Sequence, residues 1–148
     1  MQYRNPTPTV DVILQRESRV LMVRRKKDPF KGQLALPGGF VHEGETVETA
    51  AKREAMEETS LEVEPIEILG VYSDPKRDPR KHIATVVFVG IIVGGSETAG
   101  DDAASLEWVD LPVIDRQQIA FDHATILQDY KKWKISGGTF WSTKRRND

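Results

Sequence analysis

The stretch that decides the fold is "LPGGFVHEGETVETAAKREAMEETSL", residues 36–61. It sets Glu43, Glu45, Glu48, Glu54, Glu57 and Glu58 behind a Pro-Gly-Gly turn. From Thr46 to Thr59 there is no Gly or Pro, and Ala, Glu, Lys, Arg and Met dominate, so the spacing predicts a helix. Thr46 suits its N-cap, Glu48 suits the positive end of its dipole, and Val47, Ala50, Ala51 and Ala55 supply an apolar face. On that helix Glu54, Glu57 and Glu58 stand at i, i+3 and i+4 and share one side. Like charges at that spacing repel, by about 0.2–0.5 kcal/mol per exposed pair. A hard divalent cation offsets such repulsion, because Mg²⁺ and Mn²⁺ prefer carboxylate oxygen and water. The competing reading of the ridge is a solvated acidic face. Against it stands the preceding Gly-rich loop, whose bare backbone permits close approach of a metal or a phosphate.

Outward from this segment the pattern is strand-like. "TVDVILQRESRVLMVRRK" reads as two strands around a turn at Arg16 to Ser18, since Val10, Val12 and Leu14 alternate and Val20 to Val23 run apolar. "DPFKGQLALPGGF" reads as a loop with a short extended piece. After Pro65 the strands "IEILGVYSD", "HIATVVFVGIIVGG" and "LEWVDL" follow, separated by the polar loops "SDPKRDPRKH" and "GSETAGDDAAS". A second helix fits "DHATILQDYKKWK", with Asp122 as cap and Ile126, Leu127, Tyr130 and Trp133 as its stripe. The expectation is one α+β domain over residues 1–148, with a mixed sheet and two helices.

Composition excludes several function classes. With no cysteine among 148 residues there is no disulfide scaffold, thiolate metal site or cysteine nucleophile. A formal net charge of −2 argues against a nucleic-acid polymer or an anionic membrane surface as partner. "MQYRNPTPTVDV" carries Arg4 and two prolines where a signal peptide needs an apolar run. The longest apolar stretch, "IATVVFVGIIVGG", is too short to span a bilayer. These features suit a cytoplasmic protein.

The spacing in residues 39–61 resembles the signature of the Nudix hydrolases, G-x5-E-x7-R-E-U-x-E-E-x-G-U, where U is bulky and aliphatic. Gly39, Glu45, Arg53, Glu54, Glu57 and Glu58 match its fixed identities in position. Two positions depart: Ala55 replaces the bulky aliphatic residue, which should loosen packing, and Ser60 replaces the second glycine, which ends the helix in a left-handed conformation. The resemblance implies a Nudix-like α/β/α sandwich with a mixed central sheet and a catalytic loop-helix-loop.

The resemblance further implies Mg²⁺-dependent hydrolysis of a nucleoside diphosphate linked to another moiety. Its site assignment makes Glu54, Glu57 and Glu58 metal ligands, with the Gly38 carbonyl as a backbone ligand. Arg53 then orients Glu45 through a charge-assisted pair, the competing reading being a helical ion pair with Glu57. The general base is a box glutamate in some relatives and a loop acid in others. Here the loop offers Glu97, Asp101, Asp102 and Glu107, and Asp102 is preferred because it lies shortly before "EW". "YSDPKRDPRKHIATVVFVG", "AGDDAASLEWVDL" and "IAFDHATIL" resemble segments of small archaeal and bacterial ADP-ribose pyrophosphatases, with Lys81 where those have Gly. ADP-ribose, cleaved to AMP and ribose 5-phosphate, is therefore the leading substrate, and a homodimer the assembly implied. Arg77 and Arg80 suit phosphate or the acids Asp74 and Asp78. Only one of Arg24 and Arg25 can face the site from its strand. Gly39 and Phe40 are placed as substrate contacts, and Phe40, Phe121 or Trp108 as the adenine platform. His82 and His123 read equally as structural or functional. Alternatives are a nucleoside-triphosphate pyrophosphatase that cleans the nucleotide pool and a non-catalytic nucleotide sensor.

Overall fold

In the computed structural model of the chain, which describes residues 4–101 and 103–146, Thr7–Arg16 forms β1, and every residue from Thr9 to Leu14 is buried. Successive side chains of a strand go to opposite faces. Val10, Val12 and Leu14 accordingly join one apolar layer, and Ile13 the other. A strand buried on both faces needs cover on both, and two helices supply it. The remaining elements are β2 (Arg19–Arg25), β3 (Leu34–Ala35), β4 (Gly38–Phe40), α1 (Val47–Thr59), β5 (Leu61–Tyr72), β6 (Ile83–Gly95), β7 (Ala103–Asp110), a kinked 3₁₀ segment (Leu111–Arg116), α2 (His123–Ser136) and β8 (Phe140–Trp141).

The sheet runs β3-β2-β1-β6-β5-β8, with β4 laid along β1 and β7 along β2. β1 is parallel to β6 from Thr7↔Ile83 to Leu14↔Gly90, and β8 is parallel to β5 at Gly70↔Phe140 and Val71↔Trp141. The other strand pairs are antiparallel, so the sheet is mixed. On one face α1 buries Ala50, Ala51 and Ala55 against Val10, Val12, Leu61, Val63 and Phe88. On the other, α2 buries Ile126, Leu127 and Tyr130 against Ile13, Leu69, Tyr72, Val87 and Phe140. The expected α/β/α sandwich is the architecture observed.

The helix ends follow their chemistry. Thr46 caps α1 by accepting from the Thr49 N–H at 3.1 Å. Ser60 ends it at φ 62°, ψ 16°, donating its N–H to the Met56 carbonyl. Ala55, expected to loosen the packing, is fully buried. Two local expectations are corrected. Pro65 does not precede its strand but lies inside β5, at a bulge where the register with β6 shifts, so its missing N–H interrupts no regular ladder. Asp122 occupies the N-cap position of α2 without capping it, because its carboxylate is taken by Arg77 at 3.0 and 2.7 Å.

Candidate functional site: a cleft between an acidic helix and a basic wall

The glycines after Pro37 let three elements meet closely. β4 pairs with β1 through Thr9↔Phe40, Val10↔Gly39 and Asp11↔Gly38. A Cβ on Gly38 would stand 2.1 Å from the Val10 carbonyl oxygen, and one on Gly39 would stand 2.4 Å from Cδ of Glu54. Only glycine admits both approaches. The loop therefore rests directly against the Glu54 carboxylate, and the Gly38 N–H donates to Glu58 Oε2 at 3.3 Å.

Arg53 organises the ridge. Its Nε and Nη2 donate to the two Glu45 oxygens at 3.1 and 2.7 Å, and Nη2 also donates to the Phe40 carbonyl at 2.9 Å. Nη1 donates to Glu54 at 2.8 Å and to Glu57 at 3.1 Å. Both readings of Arg53 thus hold in the geometry: it clamps the loop through Glu45 and also makes the helical pair with Glu57. Hydrogen bonds from Arg53, and then from the His42 N–H, hold the Glu45 carboxyl down to about 2. Burial pushes the Glu54 carboxyl up, with the Arg53 bond opposing it.

Glu54 and Glu58 line a cleft of about 280 Å³ together with the basic residues Arg25, Lys26, Lys27, Arg77 and Arg80. Glu57 sits at the exposed edge of α1, turned toward Arg53, and does not line the cleft. Among the described residues, no three acidic or imidazole side chains stand together at metal-ligand spacing. The physical reason is Arg53, the nearest cation, which draws both Glu54 and Glu57. The donor set nonetheless fits a hard cation. It offers oxygen only, and Glu54, with its side chain 12% exposed, is a desolvated carboxylate facing the cleft with Arg53 as its cation.

The register of β2 separates the two arginines. Arg25 lines the cleft, stacks over Phe121 at 4.8 Å and donates to the Pro29 carbonyl at 2.7 Å. Burial, and then Arg80, lower its pKa. Arg24 points the other way, as alternate residues of a strand must, and donates to Glu107 at 2.5 Å and to the Gly32 carbonyl. The substrate-contact expectation for Arg24 is thereby corrected.

Arg77 is buried, and its guanidinium is bonded to Asp122 rather than to the carboxylates of Asp74 or Asp78. Arg80 does pair with Asp78, at 2.8 Å. Burial would raise the Asp78 carboxyl, but the Arg80 bonds hold it below the usual range. Arg80 also lies 5.8 Å from the ring centres of both Phe40 and Phe121, which line the cleft. Trp108 is elsewhere, beneath Arg16 on β7 with its N–H on Glu97.

The loop acids divide in the same way. Glu97 is held by Arg16 at 2.7 Å, and Glu107 by Arg24. Asp101 is exposed, its carbonyl accepting from Lys26. Asp102 lies outside the described residues. His82 is exposed and bonded to the Ser73 carbonyl.

Sequence reading passed over Asp11 and left His123 undecided, yet both line the cleft floor. Asp11 accepts from the Thr85 hydroxyl at 2.7 Å and faces His123 Nε2 at 3.7 Å. The available signal was a carboxylate in mid-strand, "TVDVIL", among residues otherwise reading as core.

Comparison with known proteins agrees with this geometry. The family model described as the NUDIX domain matches residues 5–130. An ADP-ribose pyrophosphatase from Methanocaldococcus jannaschii is 48% identical over 132 residues, which cover 89% of this chain and 77% of that protein. The ADPR responsive transcriptional repressor NtrR of Acinetobacter baylyi is 30% identical over 133 residues, covering 85% of this chain but 53% of the repressor. A solved Nudix hydrolase from Nitrosomonas europaea matches with a TM-score of 0.80 at 26% identity, covering 95% of this chain and 78% of that one. With a box that keeps six of its seven fixed identities and a family match over most of its length, the chain belongs to the Nudix family and is a Nudix hydrolase.

Proposed function

We propose that this chain hydrolyses ADP-ribose to AMP and ribose 5-phosphate with a divalent cation, Mg²⁺ or Mn²⁺. Water supplies oxygen to one phosphorus, the anhydride bond at that phosphorus breaks, and the bridging oxygen leaves with the other phosphate. The observation that carries the substrate is the near-half identity to the archaeal ADP-ribose pyrophosphatase, over nine-tenths of this chain. The reaction class is supported by the cleft itself, which brings carboxylates together with guanidinium and ammonium groups around a space fit for a pyrophosphate.

In this proposal Glu54 and Glu58, with the Gly38 carbonyl, hold the cation, and Glu57 joins them on release from Arg53. When bound, the cation neutralises phosphate charge and acidifies water. Arg53 keeps Glu54 and Glu45 in place, so that the ridge and the loop approach the substrate as one unit. Gly39 leaves the backbone bare beside Glu54, and Arg25 and Arg80 pair with phosphate oxygens. Phe40 and Phe121 give the adenine an aromatic face. The proton acceptor in this proposal is either a box glutamate, Glu57, or the loop acid Asp102, and Asp102→Asn separates the two. Among the described residues no helix is long and apolar enough to cross a membrane. A cytoplasmic homodimer is part of the proposal, and sedimentation velocity reads its assembly.

The test is product analysis with ADP-ribose and a panel of nucleoside triphosphates, with and without Mg²⁺. The expected outcome is AMP and ribose 5-phosphate, formed only with the cation. Pyrophosphate released preferentially from a triphosphate would overturn the substrate. Tight binding of ADP-ribose without turnover would make the chain a sensor. ¹⁸O-labelled water locates the attacked phosphorus.

A further inference from the structure

We infer that Asp11 and His123 form a hydroxyl-reading pair on the cleft floor, recognising the vicinal diol of a ribosyl group in the substrate. This rests on the proposed function and narrows it.

Asp11 is a carboxylate with 7% exposure in the middle of an apolar strand. Among the described residues no Lys or Arg forms an ion pair with it. Its Oδ2 is satisfied by the fully buried Thr85 hydroxyl on the neighbouring parallel strand. Its Oδ1 has His123 Nε2 opposite it at 3.7 Å, too far for a hydrogen bond. His123 accepts the Leu36 N–H at Nδ1, at 3.0 Å, which places the ring proton of the neutral imidazole on Nε2. The floor of the cleft therefore presents one acceptor and one donor side by side. They stand too far apart to satisfy each other. Both are fixed, Asp11 by the Thr85 hydroxyl and His123 by the Leu36 N–H and by the Arg77 clamp on Asp122 at the start of α2.

Two hydroxyls on adjacent carbons complete such a pair, one donating to Asp11 and its neighbour accepting from His123. A phosphate does not, because the Asp11 carboxylate repels it. Position favours a sugar over a base. Asp11 is paired in register with Gly38, and the Gly38 N–H donates to Glu58, so the pair lies beside the groups assigned to the cation and hence beside the pyrophosphate that the cation would hold. In ADP-ribose the groups next to the phosphates, on either side, are riboses, and the purine lies further out. The Phe121 ring, 5.3 Å from the His123 ring, offers an apolar wall to a sugar face.

The experiment compares kcat/KM for ADP-ribose and for analogues lacking one hydroxyl on either ribose, in wild type, Asp11→Asn and His123→Gln. Wild type should prefer the full diol by roughly 10- to 100-fold on one of the two riboses, as expected for one hydrogen bond to a charged group. Both variants should shrink that preference about tenfold, through KM rather than kcat. Equal wild-type rates on all analogues would overturn the inference. So would variants that slow every substrate alike, which marks the two residues as positioning groups only, or a preference tied to the purine. Should Asp11→Asn not fold, the wild-type comparison and His123→Gln carry the same outcomes. Absence of ADP-ribose turnover sinks the proposed function alone, and the pair is then read on ATP against dATP with the same two results.

Discussion

The Arg53 guanidinium holds the Glu45 carboxylate in a two-bonded fork, at 3.1 and 2.7 Å, and reaches Glu54 with its remaining nitrogen at 2.8 Å. One planar cation thus joins the loop to the ridge. Lysine has a single point of attachment and cannot serve both partners in that geometry. Arg53→Lys should therefore lower kcat by roughly 10²-fold with the fold retained, since small misplacement of reacting groups is costly. Steady-state kinetics beside far-UV circular dichroism checks this.

Glu45 carries a pH signature. Its carboxyl is held at about 2 against an ordinary 4.5, chiefly by Arg53. A depressed carboxylate stabilises the folded state above its unfolded pKa and loses that contribution as pH falls through its folded value. The loss should run from pH 4.5 down to about 2. Melting temperatures across that window should fall less steeply in Glu45→Gln than in wild type.

The two loop glycines should fail differently. A Cβ at Gly38 meets backbone, 2.1 Å from the Val10 oxygen, and backbone cannot move aside. Gly38→Ala should cost roughly 2–3 kcal/mol of stability, read by urea unfolding. At Gly39 the obstacle is the end of the Glu54 side chain, 2.4 Å away, which can swing. Gly39→Ala should cost less than about 1 kcal/mol in stability but roughly 10²-fold in turnover, because Glu54 is displaced.

Ser60 ends α1 at φ 62°, a conformation that costs an L-residue about 1 kcal/mol and glycine almost nothing. Its hydroxyl bond to the Thr98 carbonyl, at 3.3 Å, returns little. Ser60→Gly should raise the melting temperature by about 2–4 °C. A fall, measured by calorimetry, would show that the hydroxyl matters more than the backbone.

What was legible in the chain was local. Thr46, the alanine face and the left-handed Ser60 could be read because caps and helix periods lie within a few residues of one another. Pro65 misled, since a bulge is set by the partner strand β6 and not by the residues beside the proline. Pairings across the fold were not legible. Arg77 finds Asp122 across 45 residues, and Asp11 meets His123 only once β1 and the start of α2 are laid against each other. The choice between Arg24 and Arg25 was reduced to two by strand alternation and decided by which face of β2 the cleft occupies. The Glu57 carboxylate, read as part of a converging trio, is drawn to Arg53 by a charge contact that helix spacing permits but does not rank against the alternatives.

The central claim is that the acidic ridge of α1 holds a divalent cation against a pyrophosphate. It is tested most directly by titrating Mn²⁺ into wild type, Glu54→Gln and Glu58→Gln by water-proton relaxation, with ADP-ribose turnover measured on the same samples. The account predicts that each variant binds Mn²⁺ roughly 10- to 100-fold more weakly and loses at least about 10²-fold in turnover, while keeping its circular dichroism spectrum. Wild-type Mn²⁺ affinity together with near wild-type turnover in either variant would contradict it.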